Sequence, residues 1–129
     1  MLDTNIVSLA LRGHEHVVQH LVAVSPQNLC MSAVTLAELR YGADKRNSAL
    51  LHALIDKVIT AIRVAPFDAD AALSYGSVAD ALRSAGTPIG IFDTLIAAHS
   101  LAIGATVVTN NVKHFAKVRH LEVVDWSSP

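Results

Sequence analysis

Short apolar runs with strand character alternate with segments of helical periodicity along the whole chain, and this alternation most narrows the folds open to it. Strands separated by helices pair in parallel, because each helix carries the chain back along the sheet. The expectation is an α/β domain with a mostly parallel central sheet of four to five strands flanked by helices. At 129 residues, one such unit accounts for the whole span 1–129.

Met1-Leu2 reads as the end of a first, very short strand, and Asp3-Thr4-Asn5 turns the chain into an apolar segment from Ile6 to Leu11. Leu29-Cys30-Met31 reads as a second strand, with Ser32 capping a helix that runs toward Tyr41 and has Gly42 near its end. A helix from Ser48 to Val58 leads into a strand from Thr60 to Ala65, closed by Pro66. From Asp68, the residues Ala72, Tyr75, Val78, Ala79 and Leu82 recur at helical spacing until Gly86 and Pro88. Phe92, Leu95, Ile96, His99, Ala102 and Ile103 form another stripe ended by Gly104, which puts Asp93 in a first helical turn. Ala105 to Thr109 reads as a buried strand, Val112 to Phe115 as a helical turn and Glu122 to Val124 as a last strand.

No apolar run is long enough to cross a bilayer as a helix, and Asp3 and Asn5 stand where a signal peptide has its basic and apolar segments. A lone Cys30 in an apolar stretch rules out an internal disulfide and reads as a core thiol, so a cytoplasmic location is expected. With a formal charge of −1, whole-molecule attraction to a polyanion is not indicated. Nucleic-acid binding must then rest on a local basic surface or on metal ions.

Asp3, Glu38 and Asp93 fall where strands end or helices begin, the edge at which α/β domains gather their ligands. Carboxylates converging there repel one another unless a cation sits among them, and Mg²⁺ or Mn²⁺ prefers such oxygen donors. Phosphodiester hydrolysis follows as the chemistry such a site can do. Each acid also has a plain structural reading. Asp3 can be an N-cap, Thr35 and Glu38 fit a capping box, and Asp93 gains from the helix macrodipole without a metal. Spacing alone does not choose.

Asp3-Thr4-Asn5, Ser32 to Gly42 (SAVTLAELRYG), Gly90 to His99 (GIFDTLIAAH) and Val108 to Phe115 (VTNNVKHF) together resemble the VapC toxins of the PIN-domain superfamily. The likeness runs in order through nearly the whole chain, down to Val123-Val124-Asp125-Trp126. It implies a parallel sheet flanked by helices, Mg²⁺- or Mn²⁺-dependent endoribonuclease activity, and inhibition by a small cognate VapB-like antitoxin. It maps the family's acids to Asp3, Glu38 and Asp93, as catalytic and metal-holding residues, and its Thr-x-Asn element to Thr109 and Asn111, with Thr4 and Asn5 as further polar support. In the family, a Thr-Asn-Asn run followed by an acid before Phe looks like the mark of toxins acting on transfer RNA, so tRNA is the first substrate expected. The chain departs from the pattern at His114, which stands where a fourth acid is often found before Phe115. Imidazole is a poor Mg²⁺ ligand, and weak or absent binding of a second ion is the expected consequence. The chain also begins closer to Asp3 than the resemblance leads one to expect, which leaves open residues upstream of Met1 or a short first strand.

Of the other candidates, His14 and His16 read as a polar turn and His99 as a packed, hydrogen-bonded residue. Lys45, Arg46, Lys113, Lys117 and Arg119 suit either RNA phosphates or plain surface. Phe92, Tyr41 and Trp126 lie in apolar patterns and read as packing residues. Leu50, Leu51 and Leu54 belong either to the core or to a homodimer or antitoxin groove. Three functions compete: the endoribonuclease, a catalytically weak PIN domain that binds RNA or protein, and a phosphoacceptor or phosphatase. The last is disfavoured because Asp3-Thr4-Asn5 lacks the second Asp of an Asp-x-Asp element.

Overall fold

A computed structural model describes residues 1–129 and shows seven α-helices around a parallel sheet. In order these are α1 (Thr4–Leu11), α2 (Glu15–Ala23), β1 (Cys30–Ser32), α3 (Ala33–Lys45), α4 (Ala49–Ala61), β2 (Arg63–Ala65), α5 (Ala69–Ser84), α6 (Ile91–Ile103), β3 (Val107–Val108), α7 (Val112–Phe115) and β4 (Val123–Val124), with one 3₁₀ turn at Pro26–Asn28.

Strand β1 pairs in parallel with β2, and β3 with β4. The expected first strand is reduced to a single residue: Leu2 bridges Met31 on one side and Val108 on the other. Its amide donates to Cys30 O at 2.9 Å, and Val108 N donates to Met1 O at 2.8 Å. Leu2 therefore joins the two pairs in the order β2, β1, Leu2, β3, β4.

Alternation along these short strands sorts side chains to two cores. Leu2, Met31 and Val108 share one cluster with Ile6, Val7, Val17, Leu39 and Ile55 of the first four helices. Met1, Cys30 and Val107 turn the other way, onto Val78 and Leu82 of α5, Ile96 to Ala98 of α6, and Phe115. Both faces are covered, which is why the strands read as continuous apolar runs. Cys30 is buried, as a core thiol should be.

Three local expectations are corrected. Residues His14 and His16 are not in a turn: His14 is the N-cap of α2 and His16 lies inside it, because Val17, Leu21 and Val24 bring one face onto the core. Helix α3 does not stop at Gly42 but continues to Lys45, since Ala43 is fully buried and holds another turn against the sheet. The Thr35–Glu38 capping box does not form, because Ser32 is the N-cap, accepting from Val34 N at 3.0 Å, and Thr35 lies within the helix. Gly104 ends α6 in the left-handed region at φ 68°, where a Cβ is strained.

Candidate active site

Asp3 leaves the sheet directly after Leu2 and caps α1, its Oδ1 accepting from Ile6 N at 2.9 Å. Its amide donates to Val108 O at 3.0 Å, which fixes the residue between two strand ends. The plain N-cap reading is thus realised, yet it does not explain the setting: the residue is only 2% exposed and faces two further carboxylates. Burial pushes the Asp3 carboxyl up to about 6. The Thr109 hydroxyl and the Ile6 amide oppose that rise, and the charges of Asp93 and Glu38 add to it.

Glu38 reaches the same place from α3. Its Oε1 accepts from Thr4 Oγ1 at 2.6 Å, a bond between helices in place of the capping box expected within one. Its carboxyl is raised as well, first by burial and further by the charge of Asp93, with the Thr4 hydrogen bond acting against both. Asp93 stands in the first turn of α6, whose N-cap Gly90 has no side chain to offer. Its Oδ2 lies 3.5 Å from Asn111 Nδ2 and 3.6 Å from His114 Nδ1. Asn111 Nδ2 also lies 2.8 Å from His114 Nδ1, within hydrogen-bond reach.

The three acids are therefore gathered at the carboxyl ends of the strands, together with Thr4, Thr109, Asn111 and His114. Asn5 stands apart at the rim, 3.4 Å from Asn110, a neighbour that the sequence pattern did not single out. From this corner a groove runs between α1, α3 and α4, lined by Glu38, Tyr41, Arg12, Leu50, Leu51 and Leu54 among others. Its α1 wall was not foreseen, although Thr4, Ser8 and Arg12 recur at i, i+4, i+8 and so share a helix face.

Other expectations divide. His99 is a packed residue, 1% exposed, with Nδ1 2.8 Å from Ser32 Oγ, and burial lowers its pKa. Trp126 packs against the α1–α4 core and stacks on His20 at 5.1 Å. Tyr41 and Phe92 do not pack as expected: they are 68% and 49% exposed, because the buried face of α6 begins only at Thr94 and Tyr41 lies on the open side of α3. Lys45, Arg46, Lys113, Lys117 and Arg119 are all exposed.

As the side chains stand, no three His, Cys, Asp or Glu groups close around one point tightly enough to grip an ion. The donor set nonetheless fits a hard divalent cation. It consists of carboxylate oxygens whose charges add to the raised proton affinity of Asp3 and Glu38, and a cation relieves that repulsion as well as a proton does. Glu38 and Asp93 are half-buried, each held by neutral polar partners.

The raised Asp3 carboxyl makes stability depend on pH. The folded chain holds a proton that the unfolded chain releases near 3.8, so this contribution is complete below that value and is lost as pH rises through about 6. At ~1.4 kcal/mol per pH unit, the effect is on the order of 3 kcal/mol. In metal-free urea unfolding, wild type should gain on Asp3→Asn as pH falls from 7 to 4. A difference that stays flat over that range would show that Asp3 is not held protonated.

A layered α/β domain with clustered acids at one sheet edge defines the class of protein this is. The chain belongs to the PIN-domain family, which matches residues 1–121. Within it, the chain stands with the VapC ribonucleases. It is 37% identical to the tRNA(fMet)-specific endonuclease VapC of Shigella flexneri, over 98% of this chain and 97% of that one. It is 33% identical to the ribonuclease VapC2 of Rickettsia felis, covering 98% and 96%. Its fold superposes on a chain of the Rickettsia felis VapBC2 structure, bound to a DNA fragment from the promoter, with a TM-score of 0.91 and 32% identity, covering 98% and 97%. A chain of the DNA-bound VapBC structure from Salmonella typhimurium gives 0.90 and 33%, covering 98% and 96%. No helix is long and apolar enough to cross a membrane.

Proposed function

We propose that this chain is the endoribonuclease toxin of a toxin–antitoxin pair, hydrolysing RNA phosphodiester bonds with Mg²⁺ or Mn²⁺, and that a transfer RNA is its substrate. The observation that carries the reading is the convergence of Asp3, Glu38 and Asp93, with the Asp3 carboxyl pushed up to about 6 by burial and by the other two acids. The tRNA-specific name of the Shigella relative supports the substrate. The toxin–antitoxin neighbours support a VapB-like partner. The groove between α1, α3 and α4 is the surface assigned to that partner, with leucines for an apolar helix face and Glu38 at one end. A homodimer belongs to the same proposal.

Asp3, Asp93 and Glu38 would hold the cation, which when bound supplies Lewis-acid polarisation of the scissile phosphate. The chain's own groups do the positioning. Thr109 keeps Asp3 hydrogen-bonded, Thr4 holds Glu38 to α1, and Asn111 spans Asp93 and His114. These neutral partners orient acceptor oxygens without cancelling their charge, so the site stays electronegative until a cation enters.

Sequencing RNA ends after incubation with the purified chain, with and without Mg²⁺ and beside Asp3→Asn, tests the reading. New ends that need both Mg²⁺ and Asp3 are expected; none at all would leave the RNA-binding, catalytically weak alternative, which His114 favours. His114 also sets a prediction of its own. Replacing it with Asp adds a fourth hard oxygen donor beside Asp93, and Mg²⁺ affinity by calorimetry should rise about 10- to 100-fold. Two equivalent Mg²⁺ ions already bound by wild type would refute the idea that His114 costs the second ion.

A further inference from the structure

We infer that Phe92 and Tyr41 are base-stacking platforms that hold an unstacked stretch of RNA across the carboxylates; this rests on the ribonuclease reading and names how its substrate is gripped. Among three phenylalanines, two tyrosines and one tryptophan, these two alone are exposed, at 49% and 68%. Phe115 is fully buried, and Phe67, Tyr75 and Trp126 are partly covered by neighbours. Leaving an aromatic ring in water forgoes the burial that stabilises the rest of the core.

Their placement gives the exposure a use. Phe92 directly precedes Asp93 on α6, and Tyr41 follows Glu38 by three residues on α3, so each ring stands within one turn of a site acid. Helices α3 and α6 pack against each other, which sets the two rings on the two helices that meet at the site. Free cations lie beside Tyr41 and next to His114 in the chain. Lys45 and Arg46 line the groove with Tyr41, Lys113 adjoins His114, and none of the three has an acidic partner. Aromatic faces for bases, interleaved with unpaired cations for phosphates, are the elements by which proteins hold single-stranded nucleic acid. A base stacked in a duplex presents only its edge and cannot use such a ring, so the preference must be for unpaired nucleotides.

The test uses the full chain in an Asp3→Asn background with Mg²⁺, so that RNA is bound and not cut. Fluorescence anisotropy reads binding of a labelled single-stranded RNA of mixed sequence and of the same strand fully paired. Phe92→Leu should weaken single-strand binding about 5- to 150-fold and leave duplex binding nearly unchanged, Phe92→Tyr should restore it, and Tyr41→Leu against Tyr41→Phe should behave alike. Single-strand affinity unchanged in Phe92→Leu would overturn the inference. So would equal loss for strand and duplex, or a loss that tracks a change of mass in light scattering, which would mark Phe92 as a contact between copies. The two readings fail separately: a chain that cleaves RNA but ignores Phe92→Leu loses only the stacking. A chain that never cleaves but shows the aromatic pattern loses only the nuclease.

Discussion

Asp3→Asn is expected to remove RNA cleavage, lowering the rate by on the order of 10²- to 10³-fold, while the chain still folds. Both halves follow from the position of one side chain. As an N-cap, Asn serves about as well as Asp, because either oxygen accepts from Ile6 N, so α1 keeps its start. As part of an acidic group, however, Asn supplies no charge where burial and two neighbouring acids show that charge is concentrated. The variant also removes a buried carboxylate that is hard to ionise, so at pH 7 without metal it should be as stable as wild type or more so. Divalent cations should raise the melting temperature of wild type and not that of the variant, since only a ligand that binds the folded state shifts it. Full Mg²⁺-dependent cleavage by Asp3→Asn would remove Asp3 from the site.

The largest loss of stability is expected from Leu2→Ala. Leu2 is 1% exposed and is the single residue through which β1 and β3 are joined. Shortening it opens a cavity beside Met31, Val108 and Ile6, for a cost of about 2–5 kcal/mol. Against the ~5–15 kcal/mol that holds a typical domain folded, this is a large share. It should appear as a melting temperature lower by roughly 10 °C or more. Activity should fall with it, because Asp3 is the next residue and shares the same ladder through Val108 O. Leu50→Ala, at a position 71% exposed, is the control and should stay within about 0.5 kcal/mol. Equal urea midpoints for Leu2→Ala and wild type would mean that the sheet does not depend on this bridge.

Much of the fold was legible because its signals are local. The helix beginning at Ser48, the helical pattern from Asp68, the stop at Gly104 and the turn Val112–Phe115 each follow from a few adjacent residues, and the structure has them. Helix α2 was missed because His14 and His16 mask its start and its apolar face is narrow. The aromatic positions were misread for a related reason: Phe92 has the right spacing to Ile96 for a core stripe, but periodicity does not say where the core ends along a helix.

The acidic residues show the same division. Their order in the chain and their motifs were enough to name Asp3, Glu38 and Asp93 and to suggest that a cation belongs with them. Each still had a sufficient explanation within its own helix, since capping and dipole effects act over three or four residues. Only the tertiary structure could set Glu38 on Thr4, 34 residues away, in place of Thr35, and bring Asn111 to Asp93 across 18. Sequence thus determined which groups exist and which local bonds each could make. Packing of α1, α3 and α6 around the sheet decided which bonds are made, because a buried carboxylate takes the partners that the surrounding helices bring within reach.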